Sequence, residues 1–450
     1  MPGSIPRQPG LWKRGLLWLL LLGPFFFASY GLATWVTAQR SDVGSLVFAW
    51  EAQMPFWAWT IVPYWSIDLL YGISLLICAT RAELDAHARR LFTAQVVAVS
   101  CFLLFPLRFT FQRPEMDGLF GLLFDLLGAF DKPFNQAPSL HIALLVILWV
   151  CFAHHVRGHW RWLLHGWFAL IGVSVLTTWQ HHFIDLPTGA LLGWLCVWLW
   201  PSERPGPLAS LALAREPRRW SLASRYLLGM LLFAAPAWVA GGAWLWLLWP
   251  ALALGLVALH YALFGAQGFQ KGSDGRLSTA SRWLLAPYLA GAWINSRLWT
   301  WRQPQPVEVC DGVWLGRLPA SRDLARSPFT GILDMSCELS AAPAGRIYRN
   351  LPVLDLTAPD AALCLQAAQT IETLHGLGPT LVCCALGYSR SATAVIAWLL
   401  HSGRARDLDD AIARVRSVRP GIVIGPAQRD ALSLVARESA LPPAVLAHGA

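Results

Sequence analysis

The sequence predicts a polytopic α-helical membrane domain of about eight spans followed by an α/β domain, and three observations predict it. The chain is 56% hydrophobic and only 14% charged, with 26 tryptophans, a composition far from that of a soluble protein. The apolar excess is concentrated before about residue 300, where long hydrophobic runs recur. After that point short strand-like runs alternate with helical segments, as in an ordinary globular α/β domain.

Crossing a bilayer takes about 20 apolar residues. Runs of that kind lie at roughly 15–36, 58–79, 91–110, 139–156, 162–180, 186–201, 226–241 and 243–265. The first, preceded by Lys13 and Arg14, is longer than a cleaved leader and is expected to remain as an anchor. The arginines set the orientation. Arg81, Arg89 and Arg90 follow the second run, Arg157 and Arg161 the fourth, Arg204, Arg215, Arg218, Arg219 and Arg225 the sixth, and Lys271, Arg276 and Arg282 the eighth. By the positive-inside rule both termini are cytoplasmic, as in a multi-pass protein of a bacterial-type inner membrane. The Trp- and Arg-bearing stretch 280–302 is expected to lie at the membrane interface.

The net charge of +9 does not indicate a nucleic-acid partner, because the cations sit in loops between apolar runs. Cys78, Cys101, Cys151 and Cys196 fall inside apolar runs, where cysteine is a small buried hydrophobe. No cysteine spacing forms a disulfide framework or a zinc site, so neither a metal nor a cofactor is expected.

Three polar clusters interrupt the apolar pattern: Arg108 to Arg113-Pro114, Pro138-Ser139-Leu140-His141, and His181-His182-Phe183-Ile184-Asp185. All three fall at span ends on the side opposite the cationic loops, and ionisable groups at such depth mark sites by default. His181 and Asp185 are four apart, so one helical turn lets the carboxylate hold the imidazole in a single tautomer. The free ring nitrogen then suits attack on phosphorus. His141 is placed to protonate a leaving alcohol, Arg113 and Arg108 to neutralise the equatorial oxygens, and Ser139 to donate a further hydrogen bond. His182, three residues from Asp185, is the weaker nucleophile candidate.

On these residues the segment of about 58–200 resembles the type-2 phosphatidic acid phosphatase superfamily. It departs from that family's pattern at Pro106, Leu140 and Val175, where a lysine, a glycine and an arginine are expected. The Pro-Ser-Leu-His and His-His-Phe-Ile-Asp forms look more like the inositol-phosphorylceramide-synthase-like branch. The resemblance implies a membrane lipid phosphate as substrate and leaves hydrolysis and headgroup transfer both open.

In the second domain, 312–316, 331–335, part of 347–355 and 380–384 read as strands, with helices at about 360–376 and 391–400. Alternation of this kind makes a mainly parallel sheet. The run Cys384-Ala-Leu-Gly-Tyr-Ser-Arg390-Ser391 joins a buried strand to a helix. Cysteine, five residues and arginine occur by chance as well (Cys151 and Arg157 share the spacing), so context carries the reading. A strand delivers Cys384, Gly387 lets successive N–H groups turn inward, and a helix N-terminus adds its dipole to an anion site. Such a site favours a thiolate nucleophile. Arg390 can grip two phosphoryl oxygens in a fork, and Ser391 can ease breakdown of a thiophosphate.

This run resembles the dual-specificity branch of the protein tyrosine phosphatase superfamily, over about 306–435. The resemblance implies Asp355, in Leu-Pro-Val-Leu-Asp, as general acid, with Asp360 as runner-up. Arg419-Pro420 through Gln428 resembles that family's closing segment. Cys383 stands where the family has a histidine. No Lys or Arg lies between Cys384 and Arg390, which disfavours polyphosphorylated headgroups.

The expected organisation is an anchor and periplasmic loop over 1–57, a membrane catalytic core over 58–200, a cytoplasmic loop and further transmembrane hairpin over 201–265, an interfacial linker over 266–305, and the phosphatase-like domain over 306–450. The expected partners are the bilayer, a membrane lipid phosphate and a cytosolic phosphoester, either a phosphoprotein or a lipid. A non-catalytic receptor that binds phosphorylated partners is the alternative of a different class.

Overall fold

The computed structural model describes residues 7–440, so the outermost ends of the first and last expected segments lie outside it. The chain divides into two units, one comprising residues up to Pro205 with Ala237–Leu245, the other Gly206–Pro236 with Trp246 onward.

The first unit is helical: α1 (Leu11–Ala38), α2 (Ile61–Ile77), α3 (Arg81–Leu104), α4 (Gly118–Phe130), α5 (Leu140–His155), α6 (Trp160–Thr177) and α7 (Asp185–Leu199). Its core gathers Leu22, Tyr30, Leu75, Leu91, Phe102, Ile147 and Ile171. Two glycines set the approach of α7 to α5. A Cβ on Gly189 would stand 2.4 Å from the Ser139 carbonyl oxygen, and one on Gly193 would stand 2.8 Å from that of Ala143. Backbones this close bring the start of α7 to the N-cap of α5, where two of the three polar clusters lie.

Helix α3 differs from the expectation. It begins at Arg81, so Arg81, Arg89 and Arg90 belong to the helix and not to a loop. Its charges are tolerated there because they are paired. Arg14 grips Asp85 through two bonds of 2.7 and 2.8 Å, His155 lies 2.7 Å from Glu83, and Arg90 donates to the Trp200 carbonyl at 2.8 Å. Helix α4 was not expected, since its 13 residues are too few for a span. Each expected span coincides with a helix, and among the described residues four stretches are long and apolar enough to cross a membrane: Leu11–Ala38, Ala58–Ile77, Pro217–Ala240 and Gly242–Phe269.

Helix α8 (Pro217–Ala240) belongs to the second unit up to Pro236, and α9 (Leu248–Leu259) of the same unit ends in a π-helical turn, His260–Phe264. Gly229 and Gly255 let the two helices approach, with Leu254 and Met230 filling the opposing spaces. The stretch expected at the interface forms α10 (Thr279–Leu284) and α11 (Ala286–Trp299). Beyond it come β1 (Val307–Cys310), β2 (Val313–Arg317), α12 (Ser321–Ala325), β3 (Gly331–Ser336), β4 (Ile347–Val353), α13 (Ala361–His375), β5 (Thr380–Cys384), α14 (Arg390–His401), α15 (Leu408–Val418) and α16 (Pro426–Ala440).

The strands order as β1-β2-β5-β3-β4, with β1 antiparallel and the rest parallel. Strand β5 is central and wholly buried, as an apolar run in a two-sided parallel sheet should be. Side chains alternate across it. Val382 and Cys384 face a core that includes Ile371 and Trp398 of the covering helices, while Leu381 and Cys383 face Ile332 and Tyr348. The nucleophile candidate therefore leaves the sheet at its carboxyl edge, where α/β folds place their sites.

Replacing Gly189 by valine drives a side chain into the α5 backbone. We expect a loss of about 1–3 kcal/mol or more, read as a lower unfolding temperature of the detergent-solubilised protein.

Candidate active sites

In the second unit the strand-to-helix run closes a loop around the Cys384 sulfur. The Gly387 N–H and the Ser391 hydroxyl each donate to Sγ at 3.2 Å. Gly387 sits at φ +76°, and a Cβ there would meet the Gly316 carbonyl carbon at 2.3 Å. Glycine is thus required twice over, for the turn and for the close approach. The Arg419–Gln428 stretch braces the loop from outside. Arg419 donates to the Leu386 carbonyl at 3.0 Å and lies over the Tyr388 ring, Val423 N–H donates to the Tyr388 carbonyl at 2.8 Å, and Gln428 donates to Ser389 at 3.3 Å.

Arg390, the first residue of α14, has a buried side chain. It donates to Glu338 at 2.6 and 2.9 Å, to Asp355 at 2.9 Å and to the Val353 carbonyl at 2.8 Å. Glu338 was missed by the sequence reading. It follows β3 in a stretch with no motif, and only the parallel pairing of β3 with β5 brings it to Arg390. Burial alone would push the Glu338 carboxyl up. The Arg390 charge and hydrogen bonds outweigh that and hold it at about 2. Asp355 keeps 27% of its side chain exposed. Burial raises its carboxyl above the ordinary carboxylate range, opposed by Arg390 and reinforced by the Glu338 charge. Asp360 instead caps α13, accepting from Leu363 N–H at 2.8 Å.

Cys383 is fully buried on the opposite face of the sheet from Cys384. Burial, with Asp334 adding to it, holds its thiol well above the usual range. Strand alternation therefore removes Cys383 from the chemistry, and its neutral buried thiol is a packing group.

In the first unit the third polar cluster meets the second. His181 Nδ1 lies 3.1 Å from Asp185 Oδ2, and its Nε2 lies 3.2 Å from the Ser139 hydroxyl. Asp185 also accepts from His182 N–H at 3.1 Å, which fixes the carboxylate. Ser139 caps α5, accepting from Ile142 N–H at 3.3 Å. His182 is held on both nitrogens. Its Nε2 accepts from Thr110 N–H at 3.2 Å, so Nδ1 carries the proton and donates to Glu51 at 3.0 Å. Of the two histidines, His181 is thus the one whose second nitrogen faces a side-chain hydroxyl, that of Ser139.

His141 is buried and stacks on Tyr64 with ring centroids 4.1 Å apart. Tyr64 and Tyr30 both donate to Asp131, at 3.5 and 2.6 Å. Glu51 and Asp131 escaped the sequence reading, because each is a lone carboxylate remote in the chain from its partners, His182 for Glu51 and the two tyrosines for Asp131. Arg113 lies over the Phe124 ring at 5.4 Å. Arg108 is exposed, and among the described residues only its backbone N–H is bonded, to Gly44. A cavity beside His181, walled by Phe109, Phe111 and Trp179, measures about 10 Å³, room for one water.

Parts of the chain are similar to solved phosphatase structures. PTPMT1 in complex with PI(5)P is 25% identical over 30% of this chain and 96% of its own, with a TM-score of 0.28. Tk-PTP in its active form is 27% identical over 30% and 98%, with a TM-score of 0.28. Human DUSP28 is 26% identical over 30% and 95%, with a TM-score of 0.27. No family model and no curated protein matches the chain.

Glu338→Gln removes the charge that balances a buried guanidinium. The expected cost is about 3–5 kcal/mol, seen as a lower midpoint in chemical unfolding. Because folding depresses the Glu338 carboxyl from 4.5 to about 2, its contribution is full above pH 4.5 and fades as pH falls towards 2. The variant should lose that acid-limb dependence.

Proposed function

We propose that the C-terminal domain is a cysteine-dependent phosphomonoesterase, and that the helical domain acts on a membrane lipid phosphate through His181. The observation that carries the first half is a single cluster. A cysteine sulfur accepts two hydrogen bonds at 3.2 Å, and a buried arginine beside it is held by two carboxylates, one of them part-exposed.

The chemistry follows from those positions. The Cys384 thiolate attacks phosphorus, the bond from phosphorus to the ester oxygen breaks, and protonated Asp355 gives its proton to the departing oxygen. Arg390 meets the phosphoryl oxygens through Nε and the Nη2 donor that Asp355 gives up, with Glu338 keeping the guanidinium in place through the other two bonds. Water then attacks the phosphocysteine, Asp355 takes its proton, and inorganic phosphate leaves as the Cys384 thiolate is restored. The Ser391 hydroxyl, already on Sγ, stabilises that leaving thiolate.

For the helical domain the reading rests on the His181–Asp185 and His181–Ser139 contacts together with the buried His141. His181 Nε2 would take the phosphoryl group while His141 protonates the leaving oxygen. The four long apolar helices and the placement of the loop arginines support a multi-pass protein with cytoplasmic termini. Product identity separates hydrolysis, which releases phosphate, from transfer to a second lipid alcohol.

Two outcomes are expected with purified full-length protein. Cys384→Ser abolishes p-nitrophenyl phosphate turnover, while Asp355→Asn lowers kcat about 100-fold on an alkyl phosphate and much less on the activated aryl ester. Wild-type kcat falls as pH rises through the elevated Asp355 ionisation, and the Asn variant loses that basic limb. The second outcome concerns lipid phosphate supplied in the Cys384→Ser background, where His181→Ala removes the remaining product. Retention of that product would sink the histidine half of the reading.

A further inference from the structure

Above Asp355 lies a cavity of about 320 Å³ that the phosphatase mechanism leaves unused. Its floor is Asp355, Glu338 and the loop residues Ala385 and Leu386, so it opens onto the general acid. Its walls come from outside the sheet. Tyr226 and Phe233 belong to α8, Leu254 to α9, and Tyr288 and Gly291 to α11. The stretches Pro217–Ala240 and Gly242–Phe269, which carry α8 and α9, are two of the four long enough and apolar enough to cross a membrane. Outward of the cavity α8 exposes Leu227, Leu228, Leu231 and Leu232, a surface suited to acyl chains and not to water.

These walls are joined to the catalytic loop. The π-helical turn after α9 aims Tyr261 at the acid, and its hydroxyl donates to the Asp355 carbonyl at 2.9 Å. Tyr226 stacks on Tyr261 at 5.3 Å, and Tyr288 meets Tyr226 edge-on at 5.8 Å. From the other end of α11, Ser296 donates to the Ala385 carbonyl at 2.5 Å. One apolar wall therefore touches both the acid and the phosphate loop. Among the described residues no lysine or arginine lines the cavity, and Asn295 is its one side-chain amide. It therefore offers no cation to the acidic flanks of a phosphopeptide, whereas a hydrocarbon tail buries favourably against Phe233, Leu254 and the tyrosine rings.

We propose, resting on the phosphatase reading above, that the Cys384 site takes a lipid phosphomonoester whose acyl chain lies in this cavity against α8, α9 and α11. The phosphate enters the Cys384 loop beside Asp355, and the tail leads away along the two apolar helices. Binding energy from the tail then fixes the distance between phosphorus and Sγ, so it raises kcat/KM for membrane lipids over soluble esters.

The test uses full-length His181→Ala protein in detergent, with phosphatidic acids of increasing chain length at equal mole fraction, p-nitrophenyl phosphate and a phosphotyrosine peptide. Expected is a Cys384-dependent kcat/KM that climbs about tenfold or more between short and long chains, with the peptide the poorest substrate relative to the aryl ester. Gly291 supplies a gentle block, since an added Cβ meets no atom within 4 Å and its side chain grows into open space. Gly291→Phe should lower the ratio of long-chain to p-nitrophenyl phosphate kcat/KM about tenfold. A flat chain-length series, or a peptide that outperforms every lipid, with aryl ester turnover intact would overturn the tail site alone. Absence of Cys384-dependent turnover of the aryl ester would overturn the phosphatase reading and the tail site with it.

Discussion

The C-terminal site depends on one buried ion pair, Arg390 with Glu338. A guanidinium without solvent is costly unless its donors are matched, and Glu338 supplies two of the bonds that permit it, at 2.6 and 2.9 Å. The pair links the end of β3 to the first turn of α14. It thereby sets where the phosphate loop lies relative to Asp355, which takes a third Arg390 bond at 2.9 Å. The chemistry asked of these groups is differential. Arg390 must stay charged, Glu338 must stay ionised to hold it, and Asp355 must hold a proton. Arg390 holds Glu338 down, while burial and the neighbouring Glu338 charge raise Asp355 against the pull of Arg390, so the two acidities separate in the needed direction.

The helical domain meets the same constraint by another route. Several of its buried ionisable groups are held by neighbours: His181 by Asp185 and Ser139, His182 by Glu51 and Thr110, and Asp131 by two tyrosine hydroxyls. Each pairing fixes a tautomer or an orientation. The close α5–α7 contact at Gly189 and Gly193 makes it possible, because larger residues would hold Ser139 away from His181.

What could be read from the sequence follows from how local the signal is. Cys384, Gly387 and Arg390 share one strand–loop–helix unit, so spacing and flanking pattern placed them together. His181 and Asp185 were legible from their spacing of four, but they do not share a helical turn. Helix α7 starts at Asp185, and His181 reaches the carboxylate from the segment that precedes the helix. Glu338, Glu51 and Asp131 were not legible, since each reaches its partner through tertiary pairing. Helix α3 began earlier than hydropathy suggested because its charged first turns are neutralised by Arg14, His155 and the Trp200 carbonyl, groups that a window average cannot see. Cys383 is separated from Cys384 by the strand itself. It neighbours Cys384 in sequence, but the two-residue period of a strand puts it across the sheet. The wall formed by Tyr226, Tyr261 and Tyr288 draws on three separate helical segments and left no trace in any one of them.

The central claim is that phosphoryl groups pass through the Cys384 sulfur. The most direct measurement is rapid acid quench of the Asp355→Asn, His181→Ala protein with an aryl phosphate ester, followed by mass mapping of the phosphopeptide. The account predicts phosphate on the peptide bearing Cys384, absent when that residue is serine. An aryl ester hydrolysed at full burst with no phosphate on Cys384, or with phosphate on another residue, would contradict it.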